Sequence, residues 1–166
     1  MREKHIEEKK HRLPRYCYRG EVAVAFTACV AGGRGLFLDE AAVQASVAAL
    51  EQAAEHNECT VPVYCFMPEH VHLILQGTCA TSDTWQAMVE FKQRSGFWLK
   101  RNRPGIRWQK DFYDHVIRRD EDLGAQVRYV ANNPVRRGLA ENWDEYAHSG
   151  AIGLDLRDVM EGAVTL

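Results

Sequence analysis

The sequence has no Cys-x-x-Cys spacing, no apolar run long enough to span a bilayer, no internal repeat and no low-complexity stretch. Its five cysteines (Cys17, Cys29, Cys59, Cys65 and Cys79) are odd in number and scattered. That excludes a disulfide framework and a cysteine-based zinc site, and it fits a reducing compartment. Met1 is followed by Arg2-Glu3-Lys4-His5 rather than by the apolar core of a signal peptide, so a soluble cytoplasmic protein without membrane contact is expected. Net charge is also missing, since 21 Lys and Arg face 23 Asp and Glu. The mean therefore gives no sign of a polyanionic partner.

The charges are nevertheless segregated along the chain. Residues 92–119 hold nine basic residues against two Asp, and residues 1–19 hold seven against three Glu. Residues 37–58 carry five acids and no Lys or Arg, and residues 141–166 carry six acids and only Arg157. Such asymmetry predicts one face suited to a polyanion and an acidic face opposite, although charge runs also occur as ordinary solvated helix faces.

The length of 166 residues with 46% apolar content predicts a single domain. Its core spans about residues 20–140, a basic N-terminal arm occupies 1–20, and an acidic extension occupies 141–166. Val22 to Val30 is an apolar β-type run ended by Gly32-Gly33-Arg34-Gly35. Asp39 caps a helix in which Val43, Val47, Leu50 and Ala54 recur at helical spacing to about His56. Thr60 to Met67 and His70 to Gln76 read as antiparallel strands joined by Pro68-Glu69, and Thr84 to about Lys100 is a second helix. Ile106 to Ile117 reads as a strand with an irregularity near Lys110-Asp111, and a third helix follows Asp120-Glu121-Asp122 until Pro134 stops it. The order strand, helix, strand, strand, helix, strand, with a helix appended, is the split βαβ pattern of a ferredoxin-like α+β fold. That fold is an antiparallel sheet with helices on one face.

His70-Val71-His72 lies on a strand, where side chains alternate, so both imidazoles point to one face. Two neutral imidazoles can share a divalent cation, but this spacing also occurs in structural or surface histidines. On the third helix, turning about 100° per residue, Leu123, Val127, Val130 and Ala131 form an apolar stripe. Tyr129 and Asn133, spaced i, i+4, fall together beside it. Taken alone, Tyr129 is equally an aromatic flanking the core and Asn133 a helix C-terminal residue. Glu69 can orient an imidazole or be an ordinary turn carboxylate.

In combination, three blocks carry a specific pattern: Phe66-Met67-Pro68-Glu69-His70-Val71-His72-Leu73-Ile74, the run Arg107 to Arg118, and Tyr129-Val130-Ala131-Asn132-Asn133-Pro134-Val135-Arg136-Arg137-Gly138-Leu139. Their order and spacing resemble the REP-associated tyrosine transposases, in the single-tyrosine HUH superfamily that includes the insertion-sequence transposases. The resemblance covers Phe66 to Leu139 and not the ends of the chain. It implies a ferredoxin-like fold and an enzyme that cuts and rejoins single-stranded DNA beside an imperfect hairpin, as a monomer or a homodimer. It carries over His70 and His72 as ligands of Mg²⁺ or Mn²⁺, Tyr129 on the appended helix as nucleophile, and Asn133 as third ligand, where related transposases often have Gln.

Under that resemblance Lys92, Arg94, Lys100, Arg101, Arg103, Arg107, Lys110, Arg136 and Arg137 become phosphate contacts. Trp85, Trp98, Phe112 and Tyr113 become candidates for base stacking, with Trp98 and Trp108 better suited to the core. Two other classes fit parts of the pattern. A nucleic-acid binder without catalysis would not require Tyr129, and a zinc hydrolase would want a third His or carboxylate near the His pair.

Overall fold

A computed structural model of the chain describes residues 12–164 and residue 166. The basic N-terminal arm expected over 1–20 thus lies partly outside the described residues. From residue 12 onward it is anchored: Tyr18 is buried and its hydroxyl donates to Asp114 Oδ2 at 2.6 Å, while Arg12 Nε donates to Asp114 Oδ1 at 3.2 Å.

The apolar run expected to be a strand forms β1 (Ala23–Cys29), and Asp39 caps α1 (Glu40–His56) by accepting from the amides of Ala41 and Ala42. The hairpin partners are β2 (Cys59–Met67) and β3 (His70–Gly77), and Asp83 caps α2 (Thr84–Asn102). After these come β4 (Tyr113–Ile117), α3 (Leu123–Ala131), a single turn α4 (Asn133–Arg136), β5 (Ser149–Ile152) and α5 (Leu156–Met160). The sheet order is β4-β1-β3-β2-β5 with every pair antiparallel, which gives the ferredoxin-like arrangement a fifth strand on the β2 edge.

Strand alternation gives the sheet two apolar faces. Val24, Phe26 and Ala28 of β1 and Val71, Leu73 and Leu75 of β3 pack beneath α1 and α2. Ala23, Ile74, Val63, Cys65 and Met67 pack on the other face against Val127, Val130 and Ala131 of α3 and Val159 of α5. Val61 and Val63 serve opposite faces despite equal parity, because the β2 register shifts between Thr60 and Val63. Among the described residues no helix is long and apolar enough to cross a membrane.

Several expectations change in the fold. The strand expected from Ile106 begins only at Tyr113. Residues 106–112 instead bend over the sheet end, held by a Val30 to Trp108 bridge, the Gln109 amide donating to the Cys29 carbonyl, and Trp108 Nε1 donating to Ser95 Oγ at 2.9 Å. Pro134 opens the α4 turn rather than ending the helical path, since a missing N–H is tolerated at a first helical turn. The acidic stretch over residues 37–58 does not lie opposite the basic one. It is α1, which packs beside α2, so Asp39 pairs with Arg103 at 2.5 Å and Arg94 reaches Gln52 at 2.9 Å. The extension over 141–166 is woven into the fold through β5 and α5, and Tyr146 donates to the Phe66 carbonyl at 2.7 Å.

Candidate active site

Ile74 belongs to the core under α3, and alternation along β3 puts His72 and His70 on that same face. Register extends this face across the sheet: Thr27 and Cys65 flank His72, and Tyr113 lies beyond Thr27 on the edge strand. His70 sits where β3 begins, opposite Cys29 and Met67.

The two imidazoles converge. Their Nε2 atoms are 2.9 Å apart and their ring centres 4.6 Å apart. Each Nδ1 faces an oxygen, that of His72 at 2.8 Å from Thr27 Oγ1 and that of His70 at 3.2 Å from Glu69 Oε1. With hydrogens on the Nδ1 atoms, the Nε2 lone pairs aim at one place, which is how outer oxygens set metal-binding imidazoles. Nitrogen donors bound at about 2.1 Å and at right angles on one ion stand about 3 Å apart, so the donor pair fits a divalent cation. Among the described residues no cluster of three or more His, Cys, Asp or Glu is arranged to hold a metal.

The helical segment reaches this pair through Glu69. Its carboxylate takes the Arg137 guanidinium as well as His70. Burial alone would raise Glu69, but Arg137 and His70 outweigh it and hold the carboxyl below the usual range. Arg137 follows α4, so the ion pair ties the end of the α3-α4 segment to the turn that leads into β3.

Tyr129 projects from α3 with 61% of its surface exposed, while Val127, Val130 and Ala131 beside it are buried. The wheel expected from the sequence is therefore right for the stripe. The helix breaks at Asn132, so Asn133 starts the next turn, half-buried, and Asn132 Nδ2 turns back to the Arg128 carbonyl at 2.9 Å. An unbroken helix would offer the Tyr129 carbonyl to the Asn133 amide. Here Arg136 donates to that carbonyl at 2.9 Å, and its guanidinium carbon lies 3.9 Å from the Tyr129 ring centre. Burial pushes the Cys65 thiol, beside His72 in the sheet, up to about 11.

The basic residues divide by occupation. Lys92 donates to the carbonyls of Gln109, Lys110 and Asp111 at 2.8, 3.1 and 3.3 Å, and burial pulls it down to about 8. Arg94 is bound to Glu90 at 2.7 Å, Arg103 to Asp39 while lying over Trp98, and Arg101 lies over Phe97. Lys100, Arg107 and Lys110 are exposed. Lys100 and Arg101 ride on α2, on the far side of the sheet from the His pair. Arg107 and Lys110 lie in the connection that crosses the sheet end next to Cys29, the β1 partner of His70. Of the aromatics weighed for stacking, Phe112 is buried, Trp85 and Trp98 are half-buried against the core, and Tyr113 is exposed. Thr27 was missed by motif reading. Its signal was a lone hydroxyl in the otherwise apolar run from Val22 to Val30.

The family model described as "Transposase IS200 like" matches residues 26–133. A putative REP-associated tyrosine transposase of Haemophilus influenzae is 30% identical over 113 residues, covering 61% of this chain and 64% of that relative's length. The fold matches the structure of a REP-associated tyrosine transposase bound to a REP hairpin with a TM-score of 0.74 at 22% identity, over 96% of this chain and 89% of the other.

Proposed function

Since the chain belongs to the IS200-like transposase family, we propose that it is a metal-dependent endonuclease and strand transferase. Its substrate is single-stranded DNA beside hairpin, REP-like palindromes, and it acts through a 5′-phosphotyrosine. The observation that carries this reading is the convergence of His70 Nε2 and His72 Nε2 on the sheet face that also seats the helix bearing Tyr129. The REP hairpin bound by the structural neighbour supports the choice of substrate.

The side chains divide the work. His70 and His72, oriented by Glu69 and Thr27, would hold Mg²⁺ or Mn²⁺ with Asn133 as the amide donor that the family pattern supplies. The bound cation would offset negative charge on the scissile phosphate. Two imidazoles and an amide carry no negative charge of their own, so the chain leaves that positive charge for the DNA. Tyr129 Oη attacks phosphorus, the bond to the 3′ oxygen breaks, the phenol gives up its proton and the departing oxygen gains one. The products are a 5′-phosphotyrosine and a free 3′ hydroxyl, which preserve the ester for a later strand transfer. Packing of α3 on its own chain's sheet and the pairing of Arg137 with its own chain's Glu69 support a reading in which the tyrosine serves the His pair of the same chain.

The test is incubation of a labelled hairpin carrying a single-stranded flank with the protein and Mn²⁺. A denaturation-resistant adduct that disappears in Tyr129→Phe and in His70→Ala supports the reading. Hairpin binding without any adduct identifies a non-catalytic binder and overturns it.

A further inference from the structure

Tyr129 presents a mechanical problem for the function proposed above. An exposed tyrosine on a helix surface samples several rotamers, whereas attack in line requires one of them, because reacting atoms must be held close to about 3–3.5 Å and aligned. Packing does not fix the ring, since the apolar stripe of α3 points the other way. Among the described residues, the partner of the ring is Arg136, whose guanidinium carbon is 3.9 Å from the ring centre. The same side chain holds the Tyr129 carbonyl at 2.9 Å, across the helix break at Asn132. One planar group thus grips both the backbone and the ring of a single residue. Arg137, its neighbour, is engaged by Glu69, so the two consecutive arginines fasten this turn to the phenol on one side and to the His70 support on the other.

Resting on the reading of Tyr129 as nucleophile, we propose that Arg136 is a positioning residue for Tyr129, fixing its ring by stacking and by the carbonyl hydrogen bond, rather than a contact to DNA phosphate. Stacking of the guanidinium on the ring face favours one orientation of the phenol over the others. The carbonyl bond adds a directional restraint that a point charge cannot reproduce, so lysine is not an equivalent replacement. A phosphate contact behaves differently, because there lysine keeps the charge and most of the affinity.

Two measurements on the full chain separate these roles. The first compares Arg136→Lys and Arg136→Gln for hairpin affinity across salt concentrations and for the single-turnover rate of adduct formation. Positioning predicts that both variants lose about tenfold to a hundredfold in rate, with affinity and salt slope within a factor of two of the parent. Recovery of the rate by lysine, or a salt slope reduced by about one phosphate contact, overturns the proposal. The second needs no activity: 3-fluorotyrosine is incorporated and the ¹⁹F resonance lost in Tyr129→Phe is followed. It is expected to be displaced from that of Tyr16, which is 75% exposed, and to move toward it in Arg136→Gln. A resonance unmoved by the substitution overturns the positioning role. Absence of any adduct in the parent overturns the nucleophile reading instead, leaving the spectroscopic result to decide on the clamp.

Discussion

The Thr27 hydroxyl stands 2.8 Å from Nδ1 of His72, on the strand directly opposite it. This contact leaves Nε2 as the lone-pair nitrogen of the ring. Thr27→Val keeps the shape and removes the acceptor, so the strand pairing should survive while the ring loses its preferred tautomer. Loss of such an outer partner weakens metal affinity by about 10–100-fold. Mn²⁺ titration followed by electron paramagnetic resonance should show this weakening at unchanged thermal stability. Unaltered Mn²⁺ affinity would remove Thr27 from the site.

Glu90 joins the two helices of the other face. Its carboxylate takes His56 Nδ1 at 2.9 Å, Asn57 Nδ2 at 3.0 Å and Arg94 Nε at 2.7 Å. Burial pushes it up, but these donors win and hold it below its ordinary value of 4.5. A carboxyl lowered in the folded state stabilises fully above its unfolded value and loses that contribution as pH falls through the folded one. Glu90→Gln should therefore cost about 1–3 kcal/mol at neutral pH, and the gap should narrow in acid. Urea denaturation at pH 7 and pH 3.5 measures both, and a gap independent of pH would contradict the assignment.

Lys92 and Lys110 differ in occupation although the sequence presents them alike. Lys110 is exposed at the sheet end, next to the Gln109 amide that meets the Cys29 carbonyl, while Lys92 is engaged by the 109–111 carbonyls. Lys110→Gln should lower the salt slope of hairpin binding by about 0.7–1 and leave stability unchanged. Lys92→Met should leave that slope alone and lower the unfolding midpoint. Fluorescence anisotropy across salt and denaturant titration read the two effects, and the reverse pattern would refute this division.

Much of this was legible from the chain itself. Periodicity placed both long helices and the His70-Val71-His72 strand, because apolar stripes and alternation are set by neighbours in sequence. The stripe Val127, Val130, Ala131 is buried as its spacing requires. What could not be read depended on partners distant in sequence. Residues 106–112 are aromatic enough for a strand, yet Lys92 and Ser95 of α2 draw them over the sheet end. β5 is short and half-buried, and it exists because β2 offers a free edge. The helix break at Asn132 precedes the turn from which Arg136 meets the Tyr129 carbonyl and ring, contacts that helical periodicity does not foretell. Thr27 meets His72 only through the β1 to β3 register.

The central claim is that Tyr129 carries the DNA. Trypsin should cut after Arg128 and after Arg136, releasing the peptide that runs from Tyr129 to Arg136. Mass spectrometry of the purified adduct after nuclease trimming should find the nucleotide remnant on this peptide, attached to its tyrosine. The same remnant on the Asp111 to Arg118 peptide, which holds the exposed Tyr113 of the same sheet face, would contradict the account.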